Sequence, residues 1–145
     1  MPMTGVFGHL DAYLAMLGAL LLAVPIGMNR EAHGKDIMGL RTFPLVSLGA
    51  CAYVLLAREF LGDEAPDALA RVLQGLMTGL GFIGGGAILK YDDHVAGTAS
   101  AASIWVVGAI GAAAGLGYWG HAIALALINF TVMVVFGMIK KRFHD

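Results

Sequence analysis

The chain has 145 residues, of which 59% are hydrophobic and 13% are charged, and its mean hydropathy is +0.79. Soluble domains carry about 25% charged residues, so this composition excludes an ordinary soluble globular protein. The net charge is −1, and the basic residues form only short clusters at helix ends, so we expect no nucleic-acid partner. The single cysteine, Cys51, excludes an internal disulfide and a cysteine-based metal site.

Five apolar segments predict an all-α, polytopic membrane protein that forms a single transmembrane domain over residues 1–145. A hydrocarbon core about 30 Å thick needs roughly 20 apolar residues per helix. The spans are predicted near residues 10–28, 42–57, 68–89, 98–116 and 121–139, and the second is short by a turn.

The first two helices are expected to meet at one membrane boundary. Pro25 lies inside helix one and should kink it or end it early. Asn29, Arg30 and Glu31 follow near its end, and Arg41 precedes helix two, so these four predict a polar cluster. An ion-pair network, a partner-docking point and a gate all fit this pattern, as do basic residues that merely hold a loop in the cytoplasm.

Helix three carries the most unusual run, because residues 72–89 contain six glycines and no charge. Each glycine costs a soluble helix roughly 1 kcal/mol relative to alanine, whereas in a bilayer glycine lets neighbouring helices approach closely. The spacing therefore predicts packing faces on helices three and four at Gly75, Gly79, Gly81, Gly84, Gly85, Gly111 and Gly115. Packing within the chain, packing between copies and a thin ion path all fit these faces.

Polar residues within the spans are Gln74, Thr78, Ser103 and Asn129. Each must find a partner in the protein or face a wet cavity. Hydrogen bonds between helices are the default interpretation, and an ion path is the alternative. Thr98 or Ser100 is predicted to cap helix four.

Basic residues predict the orientation in the membrane. Seven of them lie on one side, in the loop between helices one and two, the loop between helices three and four, and the tail, whereas Arg58 and Arg71 lie on the other. The positive-inside rule then places the C-terminus in the cytoplasm and, with five helices, the N-terminus outside.

Metal binding has weak candidates in Asp92, Asp93 and His94, which share one loop. Mg²⁺ prefers one or two carboxylates with several waters. No nucleophile, base and orienting acid form a triad, so we expect no enzyme and no cofactor other than, at most, magnesium.

Four stretches resemble the MgtC/SapB family of bacterial membrane proteins. They are Gly27-x-Asn29-Arg30-Glu31, Gly39-Leu40-Arg41-Thr42, the glycine-rich run from Gly79 to Ile88, and the run from Val95 to Trp105. The resemblance as a whole extends over about residues 10–138, with the four stretches in consistent order. The resemblance makes Arg30, Glu31, Arg41, Gly81, Gly84 and Trp105 motif positions, and Trp105 is counted with the packing residues.

The resemblance implies a protein of the bacterial inner membrane that is linked to low magnesium, acid stress or life inside host cells. It also implies that the chain binds and modulates another membrane protein, with the F-type ATP synthase as a candidate. The alternative is a divalent-cation transporter or channel for magnesium. Glycine faces that exceed what one neighbour can cover favour a homodimer or small oligomer in the lipid bilayer.

Two departures from the family pattern affect these expectations. Asn29 stands where the family usually has glutamate, so the polar cluster lacks one charge. Ala99-Ser100 stands where two threonines are usual. The chain resembles the short, SapB-like form that lacks the soluble C-terminal domain of long members.

Overall fold

The computed structural model describes residues 6–32, 38–61, 65–90 and 95–142. Within these ranges the chain forms helices α1 (Val6–Ala32), α2 (Thr42–Leu61), α3 (Pro66–Gly86), α4 (Thr98–Gly115) and α5 (Trp119–Arg142). A short pair of strands, β1 (Leu89–Lys90) and β2 (Val95–Ala96), lies between α3 and α4. The predicted all-α, polytopic architecture is confirmed.

Four of the helices in these ranges are long and apolar enough to cross a membrane, namely α1, α2, α4 and α5. Their apolar stretches are His9–Glu31, Thr42–Leu61, Thr98–Gly115 and Trp119–Ile139. Helix α3 is not among them, although it has 21 residues, because Arg71, Gln74 and its many glycines lower its mean hydropathy. The chain is therefore a membrane protein, and the crossing of α3 stays a prediction.

Helix α4 lies at the centre of the bundle and packs against each of the other four helices. Its buried side chains include Ile104, Val107 and Ile110, which join Ala19, Ala23 and Ile26 of α1 in one apolar core. Helix α2 contributes Phe43 and Cys51 to the same core. The bundle is thus built around a helix rich in alanine and glycine.

The most extensive contact in the bundle joins α4 to α2, and two glycines make it possible. The backbone of Gly111 lies against the carbonyl oxygen of Ser47, and Gly115 lies against the carbonyl oxygen of Cys51 and the side chain of Val54. A β-carbon on Gly111 would overlap that backbone oxygen. The GxxxG spacing predicted for helix four therefore packs two helices of the same chain together.

Helix α1 does not end early at Pro25, contrary to one of the two outcomes expected there, but continues to Ala32. Proline removes one backbone donor and crowds the carbonyl four residues earlier. Within a membrane bundle, neighbouring helices hold such a segment helical, and Ile26 and Gly27 beside the proline are buried. The helix therefore carries Asn29, Arg30 and Glu31 to the same end of the bundle.

The connection from α3 to α4 differs from the prediction in two ways. Helix α3 ends at Gly86 rather than Leu89, because Leu89 and Lys90 pair with Ala96 and Val95 in an antiparallel ladder. The residue that caps α4 is Gly97, with a φ of 83°, where glycine has no steric penalty. The prediction of a cap by Thr98 or Ser100 was wrong, since Thr98 is already helical and the Ser100 hydroxyl has another partner.

Candidate functional site

Arg30 fastens three helices together at one end of the bundle. Its Nε and Nη2 atoms donate to Ser100 Oγ at 3.0 and 2.8 Å, and Nη1 lies 3.8 Å from Met133 Sδ. Ser100 on α4 is 1% exposed, and Met133 lies on α5. The end of α1 and the start of α4 therefore meet here, and we call this the Arg30 end of the bundle.

Glu31 has a different role from its neighbour. Its Oε2 atom accepts a hydrogen bond of 3.0 Å from the backbone N–H of Leu40, in the turn that leads into α2. This bond ties the end of α1 to the start of α2 across nine residues. The carboxylate thus satisfies a backbone donor near a helix start, where negative charge is also favourable.

The residues of the predicted polar cluster therefore have different partners: Arg30 bonds to Ser100, and Glu31 bonds to the backbone of Leu40. Asn29 and Arg30 are half-buried, and Arg41 is exposed at the start of α2. The Arg41 side chain forms neither a hydrogen bond nor an ion pair with any residue in the described ranges. The sequence predicted that these four residues lie at one end of the bundle, but it did not indicate that Glu31 would accept from the Leu40 backbone rather than pair with Arg41.

Ser103 and Asn129 form a buried polar pair between α4 and α5. Ser103 Oγ donates to Asn129 Oδ1 at 3.0 Å, and Asn129 Nδ2 donates to Ser103 Oγ at 2.8 Å. A further buried bond, which the sequence analysis missed, runs from Ser47 Oγ on α2 to the carbonyl oxygen of Ala19 on α1 at 2.7 Å. All three hydrogen bonds join helices, as polar residues in membrane bundles commonly do.

Gln74 and Thr78, the other two polar residues predicted to lie within the membrane, are on a face of α3 that points away from the core. Gln74, Thr78, Gly81 and Gly85 follow one another at intervals of four, three and four residues, so they share one side of the helix, and all four are exposed. Thr78 Oγ1 donates to the Gln74 carbonyl oxygen at 2.9 Å. We call these four residues the outer α3 face.

The outer α3 face has little cover from the rest of the chain. A β-carbon on Gly85 would meet no atom within 4 Å, and one on Gly81 would meet only Trp105 Nε1, at 4.0 Å. Trp105 itself is 48% exposed. Gly84, by contrast, faces α4, where an added β-carbon would lie 3.4 Å from the Ala101 carbonyl oxygen.

Gly75 and Gly79 line a groove between α2 and α3. It has a volume of about 830 Å³, begins at Arg41 and Thr42, and ends at Tyr53 and Val72. We call it the α2–α3 groove. The GxxxG pair of α3 thus borders open space, whereas the GxxxG pair of α4 packs tightly. The sequence pattern alone did not distinguish these two cases.

The candidate metal ligands Asp92, Asp93 and His94 lie outside the described residues. Among the residues that the structure does describe, no group of three histidine, cysteine, aspartate or glutamate side chains is arranged to hold a metal ion. The described residues therefore include none of the predicted magnesium ligands.

Comparison with known proteins matches the "MgtC family" model over residues 16–142. Protein SrpB of Synechococcus elongatus is 36% identical over 84% of this chain and 71% of its own length. YhiD of Escherichia coli, named as a candidate magnesium transporter, is 30% identical over 90% of this chain and 65% of its own length. Protein MgtC of Salmonella typhimurium is 34% identical over 91% of this chain and 55% of its own length.

The chain therefore spans about two thirds or less of two of these relatives. No solved structure matches it. The matched region nonetheless contains the Arg30 end, the outer α3 face and the α2–α3 groove, which all lie within residues 16–142. On this evidence the chain belongs to the MgtC family.

Proposed function

We propose that this chain is a non-enzymatic protein of the bacterial inner membrane that binds another membrane protein through its outer α3 face and modulates it. The observation that carries the proposal is the face itself, an exposed stripe of two glycines and two polar residues on a helix that packs on α4 through Leu80 and Gly84. Its C-terminus is cytoplasmic and its N-terminus lies outside, as the basic residues predict.

Small residues are what a membrane helix needs in order to receive another helix. Without a hydrophobic driving force in lipid, helices associate through close packing and hydrogen bonds, and glycine permits both. The backbone is open to a partner helix at Gly85, where a β-carbon would meet no atom within 4 Å, and at Gly81, where it would meet only Trp105 Nε1 at 4.0 Å.

The exposed side chain of Gln74 also favours a partner helix at this face. Its side-chain amide is exposed and forms no hydrogen bond with a residue in the described ranges. An amide facing hydrocarbon costs free energy unless it is hydrogen-bonded, and an amide both donates and accepts. A neighbouring helix with a polar group at this depth would satisfy it.

Membership of the MgtC family supports the physiological conditions proposed for this function, but it does not identify the partner. The MgtC/SapB resemblance links the chain to adaptation to low magnesium or acid stress and to virulence, and it offers the membrane sector of the F-type ATP synthase as a candidate partner. A second copy of this chain is a further occupant of the same face, which would give the expected homodimer or small oligomer.

Capture of membrane partners by a leucine variant tests the proposal. Gly85→Leu places a bulky side chain on the outer α3 face at a position where a β-carbon meets no atom within 4 Å, so the protein should fold normally while partner capture falls strongly. Gly137→Leu on α5 is the matched control, because a β-carbon there also meets nothing within 4 Å. The measurement is cross-linking in native membranes, followed by mass spectrometry of the purified protein.

The cross-linking result distinguishes a docking face on α3 from its absence and from a homodimer interface. Loss of the captured protein in Gly85→Leu, but not in Gly137→Leu, supports a docking face on α3. Equal capture by the wild-type chain and both variants would refute it. If the captured protein is another copy of this chain, the face is a homodimer interface and the modulator hypothesis fails.

A magnesium transporter is the second candidate, and the name of the YhiD relative favours it. Ser103 and Asn129, which could have lined an ion path, are hydrogen-bonded to each other between α4 and α5, so they already have a packing role. Vesicles that contain the folded chain alone provide the test. Magnesium uptake above that of empty vesicles would establish transport, and equal uptake would remove this candidate.

A further inference from the structure

The α2–α3 groove has the depth of one membrane leaflet. On α2 it runs from Thr42 to Tyr53, and on α3 from Ile83 to Val72. Either distance is about 17 Å at 1.5 Å per helical residue. One leaflet contributes half of a hydrocarbon core about 30 Å thick. With Arg41 at the membrane surface, as the predicted topology has it, the groove would extend to near the midplane of the bilayer. A groove that receives a whole membrane-spanning helix would need about twice this length.

The walls of the groove are apolar and its floor lacks side chains. Gly49, Gly75 and Gly79 line it, and a β-carbon on any of them would meet no atom within 4 Å. Phe82, which is 86% exposed, projects beside it. Its volume of about 830 Å³ falls within the roughly 300–1,000 Å³ of small-molecule sites. These dimensions suit a flexible hydrocarbon chain.

The surface end of the groove carries a positive charge. Arg41 is exposed there, without a hydrogen bond or an ion pair to any described residue. The nearby carboxylate of Glu31 is engaged by the backbone N–H of Leu40. Arg41 also precedes the N-terminus of α2, whose dipole favours a negative charge. Basic residues between membrane helices on the cytoplasmic side are typical of acidic headgroup sites.

We propose that the α2–α3 groove binds one anionic phospholipid, with its phosphate at Arg41 and an acyl chain along Gly49, Gly75 and Gly79. The charge at the surface end selects the headgroup, and the open apolar channel below it receives the chain. This proposal does not use the outer α3 face, so the lipid site and the docking face can fail independently.

Native mass spectrometry of the full chain in mild detergent tests the lipid site. Phosphatidylglycerol and phosphatidylcholine with identical acyl chains are offered at equal concentration. We expect the wild-type chain to retain the anionic lipid about fivefold better, as a single arginine near an acidic headgroup would give. Arg41→Gln should remove the preference, and Gly79→Leu should reduce retention of both lipids by filling the channel. Arg142→Gln, another exposed arginine at the same end of the bundle, should change neither.

Each remaining outcome overturns the proposal. Equal retention of the two lipids by the wild-type chain, or an equal loss in Arg41→Gln and Arg142→Gln, would show no specific headgroup site. Displacement of the lipid by inorganic phosphate alone would assign the site to a free anion. A disulfide-linked dimer from Gly75→Cys would assign the groove to a second copy. The elution volume of each variant in size-exclusion chromatography shows whether it is folded. If Gly79→Leu is misfolded, Gly49→Leu replaces it.

Discussion

At the scale of single residues, several buried or half-buried polar side chains form hydrogen bonds between helices. Arg30 reaches Ser100 across 70 residues of sequence, and Ser103 pairs with Asn129 across 26. The sequence predicted that each intramembrane polar residue needs a partner, because lipid supplies none. It could not name the Arg30 partner, since Ser100 equally fits a helix cap and distant contacts leave no local pattern.

Removing the Ser100 hydroxyl tests the bond to Arg30. Ser100→Ala leaves a half-buried guanidinium without the acceptor of two of its donors, and we expect a loss of roughly 1–3 kcal/mol in the free energy of unfolding. Thr98→Ala, an exposed change in the first turn of the same helix, should cost much less. Thermal unfolding in mild detergent measures both, and equal unfolding temperatures would contradict the role given to Ser100.

A double-mutant cycle tests the pair between α4 and α5. Ser103→Ala and Asn129→Leu each leave the other side chain without its buried partner, whereas the double variant removes both polar groups. We expect a coupling free energy of about 0.6 kcal/mol, the average for such bonds within membranes, and at most about 1.7 kcal/mol. Additive effects in the free energy of unfolding would show that the two residues act separately.

At the scale of elements, the same GxxxG spacing has two different outcomes. In α4 it brings Gly111 and Gly115 against the backbone of α2, whereas in α3 Gly75 and Gly79 border a groove and Gly85 is uncovered. Spacing predicts a smooth face but does not say which helix covers it, because that depends on the bundle arrangement. The helices themselves were predictable from their apolar length, while the strand pair after α3 was too short to leave a signal.

Substitution of the two kinds of glycine should therefore differ. Gly111→Ala places a methyl group against the Ser47 carbonyl oxygen and should separate α4 from α2, with a loss of folded protein. Gly79→Ala introduces the same group into open space and should be tolerated or slightly stabilising, because alanine favours helix by about 1 kcal/mol. Size-exclusion profiles and unfolding temperatures of the two variants provide the comparison, and similar stability would contradict the packing described.

At the scale of the whole molecule, both proposed binding surfaces depend on whether α3 crosses the membrane. The other four long helices are apolar enough to cross a membrane by composition, whereas α3 is diluted by glycine. Its position against α4 gives the chain its exposed stripe and its groove, and both require α3 to lie within the bilayer. Composition alone indicated a membrane protein, but the role of α3 depends on which of its sides α2 and α4 leave open.

The location of the two termini tests this claim most directly. Reporters of membrane sidedness at each end of the chain, in intact bacterial cells, count the crossings as odd or even. Five crossings place the N-terminus outside and the C-terminus in the cytoplasm, which is the result we predict. Both termini in the same compartment would show that α3 does not cross the membrane and would contradict the docking face and the lipid groove together.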